Sequence, residues 1–324
     1  MSKGKSVNSL MAHLRNKHNI DISGSKNKRD LMNMGYFHGF KGYRFIGQPN
    51  NRIALTKFDE LSAIYKFDTQ LKTLIYPHIM FIETALKNYT LNTLINDCNS
   101  DFEYIFSHKL IDHKSENVGN RKYREKMKKR LDLKNKILGG IAYHYADGKD
   151  VIKHYLHKNK TIPLWAVFEV INMGEFGFFL QCLELQHRIE ISKVLDVHTT
   201  SHNQNGRIPE DIIFLLKELK NAVAHNGVVF DCRFKKTNPP SRLTSYIESE
   251  TNISQIDFNN IIDYFILMVI ILKKLGTPKR ELKKLFIDLE KYSENLRFQI
   301  PVSIHLSIMG SDLRTKIRKI ELYI

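Results

Sequence analysis

Lys220, Asn221 and His225 stand within six residues of one another, in the run Leu219-Lys220-Asn221-Ala222-Val223-Ala224-His225-Asn226. A cation, an amide and an imidazole at one helix end suit cleavage of RNA by transesterification. The neighbouring 2′-hydroxyl attacks phosphorus and the imidazole moves the protons. The cation or the amide steadies charge developing on the phosphoryl oxygens. The chemistry asks for no metal. The spacing alone also fits a histidine that caps or packs, so both roles stay open for His225. Other catalytic templates are missing: there is no His-Glu-x-x-His and no phosphate-binding Gly-x-x-x-x-Gly-Lys-Ser/Thr. His154 and His157 sit beside Lys153 and Lys158 without acidic partners and read as part of a solvated basic helix. Cys98, Cys182 and Cys232 are far apart with no Cys-x-x-Cys, which argues against a disulfide framework and a cysteine zinc site. No metal and no cofactor are expected.

Positioning these groups requires helices. Ile212, Leu216, Leu219 and Val223 form one stripe of an amphipathic helix over 211–224. Pro209-Glu210-Asp211 suits its start, where acids meet the positive dipole end, and Asn226-Gly227 is a stop signal. Phe58 to Ile95 reads as two helices broken near Pro77, with an apolar stripe interrupted at Asp68. Glu83 and Asn88 read as structural hydrogen-bonding groups or as site residues. Residues 97–120 look like a connection. Trp165 to Leu183 reads as a core helix, a break at Gly174-Glu175-Phe176-Gly177 and another helix, with Trp165 packed inside. Further helices are expected over 258–275 and 279–292. Among 324 residues there are only 16 Gly and 8 Pro, and 42% are hydrophobic, so the fold class is all-α with a sizeable core. Length allows about two domains. No Pro/Gly linker splits the chain, which favours one helical domain over 57–300, a basic N-terminal extension over 1–56 and a basic tail over 301–324.

The formal charge of +16 favours a polyanionic partner through counterion release; lysine-rich composition is the bland alternative. Lys3 and Lys5 begin a basic N-terminus. Tyr36-Phe37-His38-Gly39-Phe40-Lys41-Gly42-Tyr43-Arg44-Phe45 interleaves aromatics and bases. Lys41, Tyr43 and Arg44 could stack bases and hold phosphates, or the segment could be a buried turn. Residues 121–136 carry nine bases, among them Arg121, Lys122, Arg124, Lys126, Lys128, Lys129 and Arg130. These form a positive rod suited to tracking phosphates. Arg233, Lys235 and Lys236 add a basic loop. The most apolar run, Tyr264 to Leu272, is too short to span a bilayer, and the N-terminus is polar. The chain is therefore expected to be soluble and cytoplasmic, with no membrane partner.

Several of these blocks carry a resemblance. The Tyr36 to Arg44 segment, Phe58-Asp59-Glu60-Leu61 with Ile64-Tyr65-Lys66-Phe67-Asp68 and Leu71, Ile82-Glu83, and Trp165 with Phe168-Glu169 and Phe176-Gly177 occur in order. They resemble the signatures of the Abi (AbiD/AbiF-type) abortive-infection family of bacterial phage-defence proteins. The resemblance covers most of the chain and implies a HEPN-like helical bundle with additional helices. HEPN proteins usually carry Arg-Asn-x-x-Ala-His, or a wider Arg-x(4–6)-His, at a helix end. Many are metal-independent endoribonucleases whose site forms where two such motifs meet. The resemblance assigns His225 and Asn221 to that motif and leaves Lys220 in the arginine position, where charge is kept but the planar fork is lost. It implies RNA as partner, including a structured non-coding RNA as in two-component toxin–antitoxin systems, and a homodimer. Two readings stay open: an endoribonuclease, or a catalytically inactive RNA-binding scaffold of a defence ribonucleoprotein. A DNA-binding regulator is weaker, for want of a recognition helix.

Overall fold

The computed structural model describes residues 6–48, 50–95, 99–148 and 150–324; Lys3, Lys5 and Cys98 lie outside the described residues. Among these, the regular structure is helical: fifteen α-helices, a π-helical turn and a 3-10 turn, with three isolated bridges and no strand. No described helix is long and apolar enough to cross a membrane. The backbone divides into two compact units. Unit 1 comprises Met1–Ile79, Glu218–Asn238 and Ile247–Ile324, and unit 2 comprises Met80–Lys217 and Pro239–Tyr246. Residues on both sides of the expected boundaries at 56 and 300 share unit 1.

Unit 1 is built around α12 (Ile261–Lys274), in which every residue from Ile261 to Leu272 is buried. A helix apolar on all sides belongs at the centre of a core. Its one acid, Asp263, is fully buried and is held by the Lys316 ammonium at 2.7 Å and by the Asp257 and Phe258 N–H groups. Lys316 comes from α15 (Leu313–Tyr323), which packs on α12, as does α13 (Lys279–Arg297); α14 (Val302–Met309) packs on α13. The unit also holds α1 (Val7–His18) and α2 (Gly24–Met34), the π-helical turn Gly35–Lys41, and the first part of α3 (Phe58–Ile95).

Pro77 does not break α3, contrary to the two-helix expectation: the helix is continuous through it. A mid-helix proline costs about 3 kcal/mol. Leu71, Ile75, Ile79, Ile82 and Leu86 line one face through that point and are all buried. At about 1.5–3 kcal/mol per buried side chain, that stripe outweighs the proline.

Unit 2 is organised by α5 (Arg121–Ala146), which packs on α7 (Leu164–Val170) and α8 (Met173–Cys182). The break between α7 and α8 lies at Ile171-Asn172, just before the expected glycines. Asn172 caps α8 by accepting from the Gly174 and Glu175 N–H groups, while the Glu175 carboxylate accepts from the Asn172 N–H. This reciprocal box defines the helix start, so Gly174 to Gly177 lie inside the first turns. Gly177 is needed there, because a Cβ would meet the Phe214 ring at 2.8 Å. Trp165 is 40% exposed, against the expectation of core packing. It stands in the first turn after the Pro163 cap, while Leu164, Ala166, Val167 and Phe168 take the buried face. The expected connection at 97–120 contains α4 (Phe102–His108) and the 3-10 turn Asp112–Ser115. α6 (Asp150–His157), α9 (Leu185–Val194) and most of α10 (Ile208–Ala224) complete the unit, and α11 (Ser241–Thr251) is divided between the two.

Asp112 ties the 3-10 turn to its surroundings. Its buried carboxylate pairs with Arg188 at 2.8 Å and Lys126 at 3.1 Å. Burial works against the charge, but the two cations outweigh it and hold the carboxyl below its usual range. A depressed native pKa contributes stability that is present above the unfolded value and lost as pH falls through the native one. Asp112→Asn is therefore expected to flatten the loss of stability below about pH 4, read as denaturant midpoints from about pH 7 down to about pH 3. At neutral pH the same variant loses about 3–5 kcal/mol, because Arg188 is left buried and unpaired.

Candidate functional site

The end of α10 presents the motif. Leu216 and Leu219 are fully buried, Lys220 is half-buried, and Asn221 and His225 are exposed. The helix closes with two reversed bonds: the Gly227 N–H donates to the Ala222 carbonyl at 2.7 Å and the Asn226 N–H to that of Val223 at 3.2 Å. This is a Schellman closure, which needs one residue in the left-handed region. Asn226 takes that conformation, with φ at 53°. His225 is thus the last residue before the reversal; its N–H still bonds the Asn221 carbonyl at 3.0 Å, and its ring lies outside the core.

What fixes this reversal in space is Asp68. The carboxylate is fully buried and accepts four donors. The Val229 and Phe230 N–H groups reach Oδ1 at 2.8 and 2.7 Å, and the Tyr43 hydroxyl reaches Oδ2 at 2.6 Å. The Lys72 ammonium, one turn along α3, pairs with it at 2.9 Å. Lys72 also donates to the Asn226 side-chain oxygen at 2.9 Å. Burial and the neighbouring Asp68 carboxylate push the Tyr43 phenol far up, so it remains a donor. A carboxylate with four donors can be buried where a bare one cannot.

A second clamp closes the same loop onto the aromatic-glycine segment. Arg233 pairs with Asp231 at 2.5 Å and donates to the carbonyls of Gly42 and Phe45, while the Gly47 N–H donates to Asp231. Gly39 is required in the π-helical turn, since a Cβ would meet that of Met34 at 2.6 Å. π-helical turns often mark functional sites. Tyr43, expected as a stacking residue, is 1% exposed and cannot stack on a base. Arg233 is spent on Asp231 and two carbonyls, and Lys235 holds the Asp257 carbonyl and Asn259. Lys41, Lys236 and the ring of Phe37 are exposed, and the Arg44 guanidinium lies over Phe45.

A family model described as Abi-like protein matches residues 29–231. The chain belongs to the Abi-like protein family. Membership supports a part in abortive infection, the anti-phage defence. No curated protein and no solved structure matches the chain. The matched span runs from α2 through the whole Asp68 network and ends at Asp231.

In unit 2 of this Abi-like chain, the basic rod is a helix from Arg121 onward, and its charges have two fates. Lys126, Arg130 and Lys134, four residues apart, turn inward. Lys126 binds Asp112 and Glu116, Arg130 donates to the carbonyls of Leu110 and Phe106, and Lys134 pairs with Glu103. Arg121 pairs with Glu125 on the surface. Lys122, Arg124, Lys128 and Lys129 remain exposed and carry the rod's outward charge. Glu83, one of the hydrogen-bonding candidates, pairs with Lys87, which donates to the carbonyls of Phe168 and Ile171; Asn88 is exposed. Among the described residues no three His, Cys, Asp or Glu side chains converge as a metal site would require.

Asp68 and Lys72 were not among the expected site residues. Their signal was an acid and a base four apart, intruding on an apolar stripe. Asp68→Ala is expected to lose about 3–5 kcal/mol, as for any buried pair stripped of one partner. Lys72→Met should cost less, since Asp68 keeps three donors. Denaturant midpoints of both variants rank the two effects.

Proposed function

We propose that this Abi-like chain acts on RNA and cleaves it at a site built from Lys220, Asn221 and His225, with no metal taking part. The observation that carries this reading is the exposed His225 at the closure of α10, followed by Asn226, whose side chain accepts from Lys72, itself paired with Asp68. A histidine retained only as a cap would not need the reversal after it to be anchored by a buried ion pair. The rigid support behind a solvent-facing imidazole is what proton transfer requires.

The helix geometry also favours a site shared by two chains. Asn221 and His225 are four apart and share a face. Lys220 and His225 are five apart, about 140° around the helix, so one copy does not aim both at one phosphate. Two helix ends facing each other would do so. One His225 takes the proton of the 2′-hydroxyl, whose oxygen forms a bond to phosphorus. The His225 of a second copy gives a proton to the 5′-oxygen as its bond to phosphorus breaks. Lys220 and Asn221 steady the charge on the remaining phosphoryl oxygens. The products are a 2′,3′-cyclic phosphate and a 5′-hydroxyl. Lys122, Arg124, Lys128 and Lys129, with Lys41, Arg44 and Lys236, hold the RNA backbone, and a structured non-coding RNA is a natural tenant of such surfaces.

Lysine in place of arginine at 220 favours a second reading, a scaffold that binds RNA without cutting it. Incubating single-stranded RNA with the protein and a chelator separates the two. Cleavage that falls at least about 100-fold in His225→Ala, with 2′,3′-cyclic ends in the wild type, supports the enzyme. Lys220→Arg should then raise the rate by restoring the bidentate fork. Retention of RNA with no cleavage in either protein leaves only the scaffold, and no retention at all sinks both.

A further inference from the structure

Unit 2 contains a pocket that the site on α10 does not use. It lies where the 3-10 turn Asp112–Ser115, the first half of α5, the end of α8 and Arg207 meet, and it is lined in part by Asp112, His113, Lys126, Lys129, Arg130 and Arg207. We infer that this pocket binds a phosphomonoester, the terminal phosphate of an RNA or of a free mononucleotide.

Charge is the first ground. Four cations line the pocket against one carboxylate. That carboxylate, Asp112, is already committed to Arg188 and Lys126. Arg207 is matched by Glu210 at 2.9 Å. Among the described residues Arg130 donates to two carbonyls and closes no ion pair, which leaves its charge uncancelled there. Lys129, exposed on the rim, closes no ion pair among the described residues. The pocket therefore keeps about two positive charges in excess, the charge of a phosphomonoester dianion with its sign reversed.

Unmet hydrogen bonds are the second ground. His113 is 5% exposed, lines the pocket, and has a buried Nδ1 with no partner. Gln181, also on the lining, has a buried and unpartnered Oε1. The two ends of an amide are interchangeable by a half-turn, so Gln181 can present its NH2 to an anion, and His113 can do so through a protonated Nδ1. Unmet buried polar atoms are disfavoured, and phosphate oxygens would satisfy both.

Size is the third. The void is about 50 Å³. At roughly 10–15 Å³ per water-sized group, it holds about four, the number of oxygens on one phosphate. A phosphodiester within a strand needs an exit on either side, and a terminal phosphate needs only one. The remaining walls include Leu110 and Cys182, whose side chains bring no further charge.

This inference does not depend on cleavage at His225, and its test is run in the His225→Ala background so that RNA stays intact. Four probes are titrated by calorimetry: inorganic phosphate, adenosine monophosphate, and one oligoribonucleotide with either a 5′-phosphate or a 5′-hydroxyl. The expected result is that the 5′-phosphate tightens oligonucleotide binding about 10-fold. Lys129→Gln and Gln181→Glu should each erase that preference, and Lys193→Gln on α9 should leave it intact. Gln181→Glu is nearly isosteric, and an unchanged melting temperature shows that the fold survives. A preference confined to adenosine monophosphate and inorganic phosphate assigns the pocket to a free nucleotide. Equal affinity for both oligonucleotides, with no saturable binding of the small phosphates, overturns the proposal. So does a preference that persists in both pocket variants.

Discussion

One buried carboxylate determines where the histidine of α10 comes to rest. Asp68 is fully buried, so its negative charge must be met by donors brought from elsewhere in the chain. Those donors come from three separated stretches: Tyr43 before α3, Lys72 within it, and the Val229 and Phe230 amides after α10. Satisfying one charge therefore registers the aromatic-glycine segment, the long helix and the reversal at Asn226 against one another. Leaving a donor out of such a buried network carries a cost. A hydrophobic contact at the same place could hold the elements together, but it would not set their register.

The basic helix obeys a related economy. Its charge looks uniform in sequence, yet the helix twist sorts it. Lys126, Arg130 and Lys134 repeat every four residues and so share a face, and that face meets the carboxylates and carbonyls of the 3-10 turn and α4. The bases between them, Lys128 and Lys129, face outward. Three of the rod's bases are thus structural, and a count of bases along the helix overstates the surface it offers to a polyanion.

How much could be read beforehand follows from this. The all-α class, the helix over 211–224 and its stop at Asn226 were legible, because they rest on local periodicity and turn chemistry. The resemblance to the Abi family was legible in ordered blocks, and the family match agrees. The continuity of α3 through Pro77 was not, since a local penalty was outweighed by burial along the whole helix. Tyr43 and Arg233 looked like RNA contacts because residue type says nothing about direction. Only the fold shows that a phenol points at Asp68 and a guanidinium at Asp231. Asp68 itself was visible as a gap in a stripe, but a gap does not name its partners.

The division of the chain also bears on when the protein becomes competent. Unit 1 takes its central helix, α12, from residues that follow all of unit 2 in sequence. On the ribosome, the α10 reversal emerges long before the apolar helix that completes its unit. The N-terminal segments, the Asp68 network and Asn226 are all made before the helix at the centre of their unit. Unit 1 is therefore closed by segments that the sequence of unit 2 separates.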